Sequence, residues 1–301
     1  MYDTIVIGAG IAGLQTAIQL ARCLRKVAVI DIPGGRSAVA KCYQNILGYP
    51  EGIGGETLRH LGRLQAQRYG ASFVADEAIA IKPAEAGGFQ VLTKNSALPL
   101  HSRTLVLATG IRDPFPSLEG VRECLGLSVF LCPDCDGYES VNEKTAIVGA
   151  GPNAIAMMHE LIDYTPYITV INHAGVAVEP ELLAQCRDPI TFLDTRVTRF
   201  LHEKGQLAAL ELADGTLLEV TRAFLAFPGA QVQTELIRDF PVRLTDKGHV
   251  MVDPRTKETD HPNLWAVGDV VNHSQQVAIA MGDGAQAAIW IHKRLRELDA
   301  L

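Results

Sequence analysis

Apolar residues in this chain arrive in two kinds of run, and each kind predicts an element. Short unbroken stretches such as Thr4-Ile5-Val6-Ile7 and Val27-Ala28-Val29-Ile30-Asp31 read as strands, because a parallel sheet covered on both faces needs no polar side. Between them, apolar positions recur at helical spacing from Ile11 through about Arg22 and predict a helix. The same order returns at Thr145-Ala146-Ile147-Val148, a helix through about Ile162, and Ile168-Thr169-Val170-Ile171-Asn172. Every long apolar stretch is broken by Gly, Pro, Asp or Asn well short of the roughly 20 residues a membrane span needs, so no membrane segment is expected.

Glycines sit where strand hands over to helix. Gly8-Ala9-Gly10-Ile11-Ala12-Gly13 is G-x-G-x-x-G in its required context. The first glycine allows the tight turn, the second lets a pyrophosphate approach the backbone, and the third lets helix pack on strand, while the helix N-terminus supplies partial positive charge. Asp31, roughly 20 residues beyond Gly10, stands where a ribose is expected to meet a carboxylate.

The second repeat, Gly149-Ala150-Gly151-Pro152-Asn153-Ala154, keeps the spacing and changes the chemistry. Asn172 stands where Asp31 stands, and His173-Ala174-Gly175-Val176-Ala177-Val178-Glu179 follows it without arginine or lysine. A plain ribose normally takes a carboxylate there and a 2′-phosphate normally takes an arginine. The segment offers neither, which leaves a fold that has lost its nucleotide or a site that holds another ligand.

Ahead of that repeat lies Cys132-Pro133-Asp134-Cys135-Asp136-Gly137-Tyr138-Glu139. Two thiols this close can close and open a disulfide without refolding the chain. A zinc site would need four ligands, and no second C-x-x-C or C-x-x-H occurs; a pair of inert buried thiols is the other alternative. Asp136 is the nearest acid-base candidate for the proton that a leaving thiolate requires, and Asp134 is expected to disfavour thiolate and raise the thiol pKa values. Cys23, Cys42, Cys124 and Cys186 have no partner in sequence, and His159 and His173 read as structural groups before acid-base candidates.

Composition narrows the class. With 301 residues, 48% of them hydrophobic, the chain can build two domains, and a net charge of -7 argues against nucleic acid as a partner. Six cysteines, only two of them closely spaced, suit a reducing, cytoplasmic setting better than a secreted disulfide framework.

These motifs, together with Leu105-Val106-Leu107-Ala108-Thr109-Gly110 and Leu264-Trp265-Ala266-Val267-Gly268-Asp269-Val270, resemble the low-molecular-weight thioredoxin reductases in content and order along nearly the whole chain. The resemblance implies an α/β protein of two Rossmann-like, three-layer ββα domains, the second inserted in the first. Residues 1–112 and 229–301 would bind FAD and residues 113–228 would carry the C-x-x-C. It implies FAD on Gly8, Gly10, Gly13 and Asp31, with Asn45, Thr109, Gly110, Gly268, Asp269, Gln276 and Val277 around it. It gives Cys135 the flavin-facing role, Cys132 the attack on substrate and Asp136 the proton. A homodimer and a thioredoxin-like protein or small disulfide or dithiol as substrate are further implications.

NADPH, the family's usual donor, fits poorly with Asn172 and the segment after it. The chain therefore looks like branches that dispense with pyridine nucleotide: ferredoxin-dependent reductases, diflavin enzymes with a second flavin or other nucleotide in the vacated site, and dithiol oxidases that use oxygen. Ser128 to Glu139 resembles the last group, but some of those carry histidine where this chain has Asp136, which favours the reductases. A flavin-binding redox sensor without turnover shares every motif.

Overall fold

The computed structural model describes residues 1–84 and 87–300. Packing divides the chain into two compact units, Met1–Ala38 with Gly54–Arg112 and Gln231–Leu301, and Val39–Ile53 with Asp113–Ala230. Val39–Ile53, expected in the first domain, packs within the second unit, and Asn45 lies exposed in it.

In the first unit, β1 (Tyr2–Ile7), α1 (Ile11–Arg22) and β2 (Val27–Asp31) form where the apolar pattern predicts them. After α2 (Gly55–Arg68), the strands β3 (Ser72–Ala75), β4 (Ala78–Pro83), β5 (Phe89–Thr93) and β6 (Ser96–Leu107) complete a sheet in the order β3-β2-β1-β6-β5-β4. β1 runs parallel to both β2 and β6, with Ile5 opposite Ala28 and Leu105. Ile5, Ile7, Ile30, Leu105 and Leu107 are buried in one core cluster, which is why these strands carry continuous apolar runs.

The second unit repeats the plan. β7 (Val129–Phe130) leads into the one-turn helix α3 (Pro133–Asp136), and β8 (Thr145–Gly149), α4 (Gly151–Leu161) and β9 (Ile168–Asn172) form the second strand-helix-strand repeat. β10 (Thr191–Leu193) extends the sheet; β11 (Val197–Glu203), β12 (Gln206–Leu212) and β13 (Leu217–Glu219) form a separate antiparallel sheet, and β14 (Arg222–Ala226) returns between β8 and β7. The order β10-β9-β8-β14-β7 is parallel throughout, and Ile155, Met158 and Leu161 pin α4 onto it.

The chain then returns to the first unit, where β15 (Leu264–Ala266) pairs with β6 and α5 (Val277–Asp299) packs along α1. That packing is close: a Cβ on Gly284 would sit 2.4 Å from the Ala12 carbonyl oxygen. Among the described residues no helix is long and apolar enough to cross a membrane.

Candidate functional site

The first glycine turn is built around one open position. A Cβ on Gly8, whose φ is +106°, would lie 2.3 Å from the Ala108 carbonyl oxygen, and one on Gly13 would lie 2.0 Å from that of Gly8. These two glycines let strand, turn and helix touch. Gly10 differs, because nothing stands within 4 Å of its missing Cβ, and no side chain caps the N-terminus of α1. Free backbone N–H groups facing an open space make a seat for a phosphate-bearing ligand.

Asp31 ends β2 beside that seat. Its Oδ1 accepts the Ala9 N–H at 2.8 Å, and its Oδ2 meets Arg59 and Arg63 of α2, each at 3.3 Å. A carboxylate offers about four lone-pair sites, so the aspartate can brace the turn and still accept from a hydroxyl. In the same unit Asp269 pairs with Arg36 at 3.1 Å, and Gly268 holds a φ of +75° that suits the tight turn after β15. The Thr109 hydroxyl donates to the Gln233 carbonyl at 2.6 Å, and the Gly110 carbonyl accepts the Gln233 N–H, so both residues also fasten the returning chain. Gln276 stands at the N-cap of α5 and Val277 opens the helix. An open glycine, an uncapped helix and an acid at the strand end fit a dinucleotide such as FAD.

The second turn has the same bones and a different interior. Asn172, 4% exposed, accepts the Gly151 N–H at 2.8 Å and the Val176 N–H at 3.2 Å, and its amide donates to the Val176 carbonyl at 2.9 Å and to Asp194 at 2.8 Å. All four of its hydrogen-bonding positions are used inside the protein. A Cβ on Gly151 would lie 2.4 Å from Val178 Cγ2, so Val178 fills the space that Gly10 leaves open in the first repeat. Beyond β9 a cavity of about 440 Å3 is bordered by His173, Asp194, Thr195 and Arg196. Arg196 supplies a cation there from the connection between β10 and β11, which the stretch directly after Asn172 did not reveal.

The two sulfurs of the C-x-x-C are held together by α3. Pro133 opens the helix, a position where its missing N–H costs nothing, and the N–H groups of Cys135 and Asp136 return to the Cys132 carbonyl. Cys132 Sγ lies 2.8 Å from Cys135 Sγ. The thiol and the backbone N–H of Cys135 both hydrogen-bond to Cys132 and lower its pKa, together outweighing burial and the nearby Asp136 and Asp134 charges, which push the other way. Asp134 therefore opposes thiolate as expected, but the net shift at Cys132 runs downward. Burial raises Asp136 to about 6, with repulsion from Glu139 adding to it.

The remaining candidates fall into structural roles. His173 Nδ1 accepts the Val197 N–H, the ring packs edge-on against Phe227, and burial lowers its pKa. His159 pairs with Gln185 on the surface. Burial raises the pKa values of Cys124 and Cys186, away from thiolate.

The family model described as Pyridine nucleotide-disulphide oxidoreductase matches residues 2–284. The chain is 29% identical to a thioredoxin reductase of Mycolicibacterium smegmatis, over 99% of this chain and 98% of that protein. It is 28% identical to a thioredoxin reductase of Streptomyces coelicolor, over 95% and 92% respectively. Among solved structures, that of HlmI superposes with a TM-score of 0.88 at 28% identity, covering 99% of this chain and 94% of the other.

Proposed function

The chain belongs to the pyridine nucleotide-disulphide oxidoreductase family, and from that premise we propose that its Cys132/Cys135 pair exchanges electrons with FAD and with an external disulfide or dithiol, without pyridine nucleotide. It is a flavin-dependent disulfide oxidoreductase of the thioredoxin reductase-like type. The observation that carries the finer reading is the contrast between Gly10, open, and Gly151, covered by Val178 with Asn172 fully engaged beneath it. A pyrophosphate needs close approach at the middle glycine, and only the first turn allows it.

Bound FAD would supply two-electron exchange with the cysteine pair. Gly10 would seat its pyrophosphate in a turn that Gly8 and Gly13 keep tight, and Asp31 its ribose, with Asp269, Gln276 and Val277 along the rest of the molecule. At the pair, an external dithiol gives up two electrons and two protons: its thiolate attacks Cys132 of the closed disulfide, Cys135 leaves, and the partner's second thiol then displaces Cys132 as the partner's own disulfide forms. In the opposite direction Cys132 is the attacking thiolate. Asp136, with a pKa near 6, gives or takes the proton of the leaving sulfur close to neutral pH. A thioredoxin-like protein or a small disulfide or dithiol fits this chemistry, and ferredoxin is a candidate donor where the net reaction is reduction. Dimerisation and a cytoplasmic site are part of the same reading.

The test is anaerobic flavin absorbance after adding NADPH, NADH, reduced ferredoxin and a dithiol in turn. Bleaching by the dithiol or ferredoxin and none by either nicotinamide is expected. Rapid bleaching by NADPH overturns the nucleotide-independent reading, and reduced protein that passes electrons to no disulfide, thioredoxin-like proteins included, favours a sensor.

A further inference from the structure

A buried charge cluster in the first unit is used by none of the chemistry above. Asp283, on the second turn of α5 and 4% exposed, holds three separate segments. Its Oδ2 accepts the Gly268 N–H at 3.0 Å and lies 2.5 Å from His273 Nε2, while its Oδ1 meets Lys257 Nζ at 2.9 Å. Gly268 opens the turn that carries Asp269, and His273 lies in the loop joining that turn to Gln276 and Val277 at the start of α5. A single carboxylate therefore ties together the parts of this unit that, on the FAD reading, border the flavin.

The state of His273 follows from its neighbours. Nε2 faces a carboxylate oxygen and Nδ1 lies 2.8 Å from the Ser274 carbonyl, so both ring nitrogens point at acceptors. An imidazole satisfies two acceptors only when both nitrogens carry protons. The Asp283 carboxylate raises the His273 pKa against burial and the opposing Lys257 charge, and the Asp283 pKa is lowered in turn. His249 stands next in the cluster: its ring approaches Gln275 at 3.3 Å, and its pKa is lowered by burial, Lys247 and His273 and raised by Asp269.

We propose that His273 is a positioning residue for the flavin seat, its imidazolium clamping residues 271–276 to Asp283 and so fixing the entry into α5. A histidine whose pKa is raised on folding contributes this clamp fully below its ordinary value and loses it as pH rises through the raised one. Retention of FAD should follow the same course. The proposal rests on the FAD reading.

The test is FAD affinity of the full chain, measured by equilibrium dialysis from pH 6 to pH 9.5, for the wild type, His273→Gln and His273→Lys. The wild type is expected to lose affinity several-fold as pH rises. His273→Gln should be about 10-fold weaker at the acidic end and flat with pH, since glutamine keeps one hydrogen bond and loses the charge. His273→Lys, a cation throughout this range, should restore binding and stay flat. Equal affinity and an equal pH profile in the wild type and His273→Gln overturn the clamp alone. A wild type that holds no FAD at any pH overturns the flavin reading along with it.

Discussion

The two glycine turns of this protein share spacing and strand order, and each is braced by the residue that ends the second strand, through neighbouring rather than equivalent N–H groups; they differ in what stands over the middle glycine. At the first, Asp31 accepts the Ala9 N–H at 2.8 Å and Gly10 faces open space. At the second, Asn172 accepts the Gly151 N–H at 2.8 Å and Val178 covers the glycine. The residue at the end of the second strand braces the turn in both repeats, as a carboxylate in one and as an amide in the other. On the proposed reading the carboxylate also receives a ribose, a job the fully engaged amide does not share.

The largest effect expected from breaking this contrast is at Gly10. Gly10→Val puts in the first turn what Val178 puts in the second, and should weaken FAD at least about 100-fold, on the order of 3 kcal/mol, read as flavin content after dialysis. The comparison leaves the second unit the cysteine chemistry, and Asp136→Asn tests that. Dithiol-driven flavin reduction should slow about 100-fold or more. In the wild type its rate should change with an apparent pKa near 6, because below that value the carboxyl is protonated and can donate, and above it the carboxylate can only accept. The asparagine variant should lose that inflection.

Paired alanines at the strand ends separate the two jobs. Asp31→Ala should lose flavin, whereas Asn172→Ala should keep it and cost about 1–3 kcal/mol in denaturant unfolding, since it strands the Gly151 N–H and a carboxylate partner. Flavin loss in both would dissolve the distinction. The smallest effect is a coupling: Gly151→Ala should cost about 1–3 kcal/mol against Val178, and clearly less once Val178→Ala removes the nearest contact and leaves Asn172 at 3.1 Å, measured as a double-mutant cycle.

Strand-helix-strand order was legible in the sequence because apolar periodicity and glycine placement are local. α1, β2 and β9 lie at the predicted residues, β1 starts two residues before its predicted Thr4, and α4 ends within one residue of its predicted limit. The closeness of the Cys132 and Cys135 sulfurs, both free thiols here, was legible for the same reason. Val178 and Arg196 were not, because their effects depend on where a loop folds back and on a strand connection distant in sequence. The downward shift at Cys132 was also hidden, since charge counting sees Asp134 and Asp136 but not the hydrogen bonds from Cys135 that outweigh them. Val39–Ile53 carries no compositional mark of the unit it packs in.

If one turn seats a dinucleotide and the other does not, the difference can be counted. Protein equilibrated with excess FAD and NADPH, freed of unbound nucleotide and then denatured, releases a countable number of adenine dinucleotides. One per chain is expected, all of it FAD. Two per chain, whether the second is NADPH or another FAD, would contradict it.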